Sequence, residues 1–128
     1  MARQHIFSGS KFEELAGYAR AVIDGDWIFV SGSSAHDPIT GEIADNIEDQ
    51  TRQCLKNILD ALTEANSGYA DIVRVRVFVS ERDFVWPVSA QLKEIFHEIR
   101  PTNTTLITQF ADPAMKVEIE VTALRQHD

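Results

Sequence analysis

The 128-residue chain predicts a single α+β domain with the element order βββ-α-β-α-ββ, in which two helices lie on one face of a mixed sheet. Three observations support this prediction. β-forming runs occur in the first half and at the end, two stretches carry apolar residues at helical spacing, and no linker, repeat or low-complexity tract divides the chain. The length allows one domain to bury a core without metal or disulfide support. We therefore expect a single domain over residues 1–128.

The first half of the chain predicts three strands. One lies near the N-terminus, a second covers the alternating run Tyr18 to Val22, and a third is the β-forming run Trp27 to Ser31. The Asp24-Gly25 pair between the last two runs is typical of a hairpin turn. We expect a loop over residues 33–42.

A long helix follows this loop. Asp45 or Asn46 can cap its N-terminus, and Gly68 ends it. Because Cys54 is the single cysteine and belongs to the apolar stripe, we expect a buried thiol rather than a nucleophile, and no intramolecular disulfide. The whole stripe comprises Thr51, Cys54, Leu55, Ile58, Leu59, Leu62 and Ala65.

Strict alternation over Ile72 to Val79 predicts the next strand. The long helix joins it to the Trp27 strand, and such a crossover favours parallel pairing of the two strands. A second helix is predicted from Asp83 to Ile99. Two strands then end the domain, Thr104 to Thr108 and Lys116 to Leu124.

Alternation also assigns residues to a second face of the sheet. Apolar residues of the central and last strands face the helices, and the residues between them face the other way. We expect a homo-oligomer, because a face of charges with aromatic surface is typical of one covered by other subunits, with Arg–Glu pairs across its strands. This second face would carry Arg74, Arg76, Phe78, Glu118, Glu120 and Thr122.

Composition argues against several classes of function. With 20 acidic and 12 basic residues the formal net charge is −8, so the phosphates of a nucleic acid would be repelled. No apolar run is long enough to span a membrane and the N-terminus lacks a signal peptide, so we expect a cytoplasmic protein with no membrane partner. The four histidines lack metal-ligand spacing, and no P-loop or dinucleotide-binding glycine pattern occurs. We therefore predict neither a metal nor a cofactor.

Six segments in order resemble the RidA (YjgF-like) family. They are Tyr18, Trp27 to Gly32, Asp37 to Glu42, Asp71 to Val79, Asp83-Phe84 and Lys116 to Glu120. The match covers nearly the whole chain with little change in spacing. The resemblance implies a chorismate-mutase-like fold and a barrel-shaped homotrimer with clefts between subunits. It also implies hydrolysis of reactive enamines and imines, such as 2-aminoacrylate, to 2-oxo acids and ammonia.

The resemblance also assigns site residues. Tyr18 matches the family's cleft tyrosine, Ser31 matches the serine of its Ser-Gly strand end, and Glu118 matches the carboxylate that orients or activates water. The family pattern Pro-Ala-Arg-Ser/Thr contains an arginine that grips the substrate carboxylate. Here the pattern reads Pro-Thr-Asn-Thr over residues 101–104, so Asn103 stands in the place of that arginine.

This replacement weakens the expected binding of a substrate carboxylate. An amide cannot form the bidentate, charge-assisted contact that a guanidinium makes with a carboxylate. The loss of that contact costs on the order of 2–4 kcal/mol in substrate binding. Either the substrate is not a simple 2-imino acid, or another cation replaces the arginine. Arg20 is the candidate cation, since it lies two residues from Tyr18 on the predicted strand, although a salt bridge is the commoner role for such a residue. Asn103 and Thr105 offer a neutral hydrogen-bonding pair.

The predicted function is metal-free hydrolytic deamination of an enamine or imine metabolite in an intersubunit cleft. Glu118 would position or deprotonate water, and Tyr18 would help to hold the substrate. A non-catalytic metabolite-binding or regulatory trimer is the alternative. A ribonuclease, a label that some family members carry, is disfavoured by the net charge. The substrate-binding residues predicted beside Glu118 and Tyr18 are Asn103, Thr105, Ser31 and Arg20.

Overall fold

Six strands form one mixed sheet, which confirms the predicted α+β class. This computed structural model describes residues 2–127, so the predicted domain bounds at residues 1 and 128 lie outside the described residues. The strands are β1 (Gln4–Ile6), β2 (Ala21–Asp24), β3 (Trp27–Ser33), β4 (Ile72–Val79), β5 (Thr102–Ile107) and β6 (Val117–Leu124). The α-helices are α1 (Lys11–Ala16), α2 (Ile47–Glu64) and α3 (Val85–Phe96).

Helix α1 is absent from the sequence-based prediction, because its pattern is the reverse of an amphipathic helix. It exposes the apolar side chains of Phe12 and Leu15 and buries that of Glu13. The Ser10 side chain caps the helix by accepting a hydrogen bond from the Phe12 amide at 3.2 Å. The Glu13 carboxylate accepts one from the Ser8 amide at 3.0 Å. Hydrogen bonds at its N-terminus, rather than a buried apolar stripe, therefore hold this helix.

The strand order is β1-β2-β3-β6-β4-β5, and only β4 and β5 pair in parallel among the described strands. The predicted parallel pairing of the Trp27 and Ile72 strands is therefore wrong. Strand β6 lies between β3 and β4 and is antiparallel to both, so those two strands run in the same direction without touching. Helix α2 connects β3 to β4 across the width of one strand, and β6 occupies the position between them.

The core lies between the sheet and the two longer helices. Asn46 caps α2 by accepting from the Asp49 amide at 2.8 Å, and Asn66 turns the chain after the helix with a positive φ of 58°. The predicted apolar stripe of the long helix is buried except for Leu59, which is half-buried. The buried members include Cys54, whose thiol faces the Val117 carbonyl oxygen at 3.6 Å. Three valines of β4 and four apolar residues of β6 complete the layer beneath the helices: Val75, Val77, Val79, Val117, Ile119, Val121 and Ala123.

The second face of the sheet, here called the open face, carries the polar residues that alternation predicted. Glu118, Glu120 and Thr122 are half-buried there, while their neighbours along β6 are buried in the core. The Arg76 guanidinium pairs with the Glu120 carboxylate across the strands, as the sequence predicted. Trp27 and Phe29 add exposed aromatic surface from β3. No helix within residues 2–127 is long and apolar enough to cross a membrane.

Candidate functional site

An irregularity in β3 shapes the part of the sheet next to Glu118. Val30 pairs with Val121 and Ser33 pairs with Ile119, so three steps along β3 match two steps along β6. The extra residue makes a bulge at positions 31 and 32, and such bulges often re-aim side chains next to functional sites. Here the bulge presents backbone to the neighbouring strand.

The Glu118 carboxylate packs against this bulge at Gly32. A β-carbon built on Gly32 would lie 2.8 Å from Oε2 of Glu118 and 3.0 Å from its carboxyl carbon. Gly32 is not among the glycines with positive φ, so it is required for space rather than for backbone conformation. The site residues predicted from the sequence do not include Gly32. Its position at the end of a β-forming run was the available signal.

Glu118 is a half-buried carboxylate without a protein partner. Among the described residues, no side chain or backbone amide hydrogen-bonds or ion-pairs with it. Burial raises the pKa of Glu118, the nearby Glu120 carboxylate raises it further, and the Arg20 guanidinium opposes both effects. A raised pKa brings a carboxylate closer to the operating pH, where a general base is most effective.

Arg20 is bound to the back of the bulge. Its Nη2 donates to the Ser31 carbonyl oxygen and, at 2.8 Å, to Oγ of Ser33, while its buried Nε has no partner among the described residues. Burial lowers the pKa of Arg20, and the nearby Glu13, Tyr18 and Glu118 raise it. The guanidinium therefore bridges Ser31 and Ser33 at the bulge and places a positive charge near Glu118.

Tyr18 and Arg20 do not lie on a strand, contrary to the prediction. Helix α1 is capped at its C-terminus by Gly17, which has a φ of 74°, and β2 begins only at Ala21, so the intervening residues form a connecting segment. The strand argument for a common side-chain direction therefore does not apply. Tyr18 is 43% exposed, and it is near enough to Arg20 to affect the pKa of the guanidinium.

Ser31 ties the connecting segment to β3. Its hydroxyl donates to the Ala19 carbonyl oxygen at 2.7 Å, and its amide donates to the Arg20 carbonyl oxygen at 3.0 Å. These contacts bring four of the six predicted site residues into one neighbourhood, here called the Glu118 half-site. The Glu118 half-site consists of Tyr18, Arg20, Ser31, Gly32 and Glu118.

The other two predicted site residues lie elsewhere in the protomer. Asn103 and Thr105 are on β5, at the edge of the sheet, and Thr105 Oγ1 donates to Asn103 Oδ1 at 3.1 Å. The two side chains are thus neighbours, and their role as a substrate-binding pair stays a prediction. Asn103 pairs with Val75 of β4, whereas Glu118 pairs with Phe78 of the same strand. Because successive residues of β4 alternate between faces, Asn103 and Glu118 belong to opposite faces of the sheet.

Two shallow depressions lie outside both groups. One of about 430 Å³ is on the open face, lined by Trp27, Phe29, Val73, Arg74, Thr102 and Thr122. The other, of about 400 Å³, lies between α2 and the loop before it. Within residues 2–127, no three His, Cys, Asp or Glu side chains are grouped so as to hold a metal ion.

The family model described as Endoribonuclease L-PSP matches residues 8–125. The chain belongs to this family, also known as the RidA or YjgF family. The resemblance found in the sequence is therefore confirmed over nearly the whole chain.

Two relatives and one solved structure support the assignment to the RidA family. An uncharacterized protein of Streptomyces coelicolor is 36% identical over 127 residues, which are 97% of this chain and 93% of that protein. A protein of Salmonella typhimurium named 2-iminobutanoate/2-iminopropanoate deaminase is 30% identical and covers 85% of this chain and 88% of its own length. A solved YjgF/YER057c/UK114 family member from Mycobacterium tuberculosis superposes with a TM-score of 0.88 at 33% identity, covering 97% and 100% of the two chains.

Proposed function

We propose that this RidA-family chain forms a cytoplasmic homotrimer that hydrolyses enamine or imine metabolites without a metal or cofactor. The observation that carries the proposal is the half-buried Glu118 carboxylate, which packs against Gly32, has a raised pKa and has no hydrogen-bond or ion-pair partner within residues 2–127. A carboxylate in that state is suited to take a proton from water. A deaminase among the relatives supports the reaction class.

The proposed cleft lies between two copies of the chain. The Glu118 half-site and the Asn103–Thr105 pair are on opposite faces of one sheet, so one protomer alone cannot bring them together. The pair lies on an edge strand, where a second protomer can approach. We therefore propose that one protomer supplies Glu118, Tyr18 and Ser31 and that its neighbour supplies the neutral pair.

In the proposed reaction, Glu118 positions a water molecule and takes its proton as the oxygen attacks the imine carbon. Asn103 and Thr105 of the adjacent protomer would hold the nitrogen or a polar substituent by hydrogen bonds. The exposed Tyr18 ring would add apolar contact. Because Arg20 is bound to β3, we assign it the positioning of the bulge and of Glu118, rather than a direct grip on substrate.

Asn103 alters the expected substrate preference. Without the arginine of the family pattern, a substrate carboxylate loses a contact of on the order of 2–4 kcal/mol. We therefore propose weak activity on 2-aminoacrylate. The net charge of −8 also supports a small-molecule substrate rather than a nucleic acid.

A panel of imines generated in solution tests the proposal. Wild-type protein should release ammonia from at least one imine faster than buffer does, and its mass in solution should be three times the 14.4 kDa of one chain. The second candidate, a metabolite-binding trimer, is favoured by the same Asn103 replacement. It would be supported if no imine in the panel were hydrolysed while metabolites still raised the melting temperature.

A further inference from the structure

We infer that the Glu118 half-site binds a cationic imine, an iminium ion without a carboxylate group. Such a substrate is supplied by the two-electron oxidation of a primary amine. The inference rests on the proposed deaminase function and names its substrate class. It depends on the Glu118 carboxylate, which has no partner among the described residues, on the contacts that already occupy Arg20 and Arg76, and on the neutrality of the Asn103–Thr105 pair.

The Glu118 carboxylate is electrostatically suited to a cation. Taking a carboxylate partly out of water is unfavourable unless an opposite charge or hydrogen-bond donors compensate it. Here burial and Glu120 both disfavour the charged form, and Arg20 compensates only in part. An iminium N–H directed at Glu118 would form a charge-assisted hydrogen bond, which is stronger than a neutral one.

The same surroundings are unsuited to a substrate carboxylate. Arg20 donates to two oxygens of β3, and Arg76, on the same face of the sheet as Glu118, is paired with Glu120, so each of these two guanidinium groups already has a partner. A carboxylate placed beside Glu118 would meet the negative charges of Glu118 and Glu120. The protomer that supplies the base therefore repels the group that the family's arginine would bind.

The remaining residues of the proposed cleft also fit an iminium ion. Tyr18 exposes its ring, and the face of an aromatic ring attracts a cation within about 6 Å. Asn103 and Thr105 are hydrogen-bonded to each other and carry no charge. They can hold an N–H or a hydroxyl group without requiring a carboxylate on the substrate.

The proposed reaction balances as the iminium ion and water giving a carbonyl compound and ammonium. The carbon–oxygen bond forms while Glu118 takes one proton of water. Glu118 then returns that proton to the nitrogen, the carbon–nitrogen bond breaks, and the hydroxyl proton leaves with ammonia as ammonium. The product is an aldehyde or ketone, so the reaction that consumes it acts on a carbonyl group.

Binding of two probes of similar shape and opposite charge tests the ligand class without activity. Isobutylammonium should raise the melting temperature of the wild type and of Glu120→Gln, but not of Glu118→Gln, and isovalerate should not raise that of the wild type. The Glu120→Gln control removes a neighbouring carboxylate and leaves Glu118 in place. Isovalerate binding equal to that of isobutylammonium, no shift with either probe, or an undiminished ammonium shift in Glu118→Gln would overturn the inference.

Hydrolysis of two generated imines then separates this inference from the proposed function. One imine comes from isobutylamine and an amine oxidase, the other from valine and an amino-acid oxidase, with catalase present in both. We expect wild-type protein to accelerate the first at least about tenfold more than the second. The reverse preference would overturn the inference and leave the deaminase proposal intact. If neither imine were hydrolysed faster than in buffer, the deaminase proposal would fail, and the two binding probes would decide the ligand class.

Discussion

The Glu118 carboxylate lies against Gly32, at a spacing that leaves no room for a methyl group between β3 and β6. The β-carbon of an alanine at this position would come within 2.8 Å of Oε2, well inside ordinary contact distance. The Glu118 carboxylate cannot keep this position if residue 32 is larger than glycine. Two adjacent strands, one bulged and one regular, therefore define the position of the proposed base.

Gly32→Ala should displace Glu118 and lower imine hydrolysis by at least about tenfold, because a small misplacement of a catalytic group can cost up to 100-fold in rate. Gly68→Ala is the matched control, since Gly68 has extended backbone with no neighbouring atom within 4 Å of an added β-carbon. Steady-state kinetics and far-UV circular dichroism should be measured on both variants. Equal activity in Gly32→Ala and in wild type would show that the packing of Glu118 against Gly32 is unimportant for hydrolysis.

Glu118→Gln should make the protein more stable at neutral pH. The folded-state pKa of Glu118 is raised, so the stability that its protonated form contributes is present below the unfolded pKa and is lost as the pH rises through the folded value. A neutral amide does not lose it. The variant should melt above wild type at pH 7–8, and the difference should vanish below about pH 4. Equal melting temperatures at both pH values would contradict the assigned direction of the shift.

Arg20→Gln should lower the free energy of unfolding by about 2 kcal/mol, because it removes charge-assisted hydrogen bonds to the Ser31 carbonyl and to the buried Ser33 hydroxyl. The control is Arg52→Gln, which breaks an exposed pair with Asp49 and should change stability by no more than about 0.5 kcal/mol. Urea denaturation measures both. Losses of the same size in the two variants would show that Arg20 is not a structural clamp.

Asn103→Arg should strengthen the binding of imines that carry a carboxylate group. Asn103 is exposed on an edge strand, so a longer side chain is accommodated at little cost in stability. A bidentate guanidinium contact of about 2 kcal/mol or more would lower KM for a 2-imino acid at least tenfold. Asn103→Gln lengthens the side chain without adding charge and should not do so. An unchanged KM in Asn103→Arg would place position 103 outside the cleft.

Sequence patterns predicted the parts of the fold in which local periodicity matches burial. The alternation of β6 identified both its core residues and the position of Glu118, and helical spacing identified α2 and its buried Cys54. The pairing of β3 with β4 was wrong because strand adjacency depends on where the distant β6 inserts, and local spacing carries no such information.

The candidate site was predictable only as a set of residue types. The two-residue spacing of Asn103 and Thr105 correctly made them neighbours, but their face follows from the register of β5 on β4. Arg20 looked available as a substrate-binding cation because its partners, Ser31 and Ser33, are more than ten residues away along the chain. Those partners depend on the bulge, which the alternation of β-forming residues does not reveal.

The rate of ammonia release from one generated, carboxylate-free imine is the most direct test of Glu118 as the base. Wild type, Glu118→Gln and Glu120→Gln should be compared at pH 7–8, because the two glutamates share a strand face but Glu120 is ion-paired with Arg76. We predict a loss of about 100-fold or more in Glu118→Gln and near wild-type activity in Glu120→Gln. Full activity in Glu118→Gln, or an equal loss in both variants, would contradict the assignment.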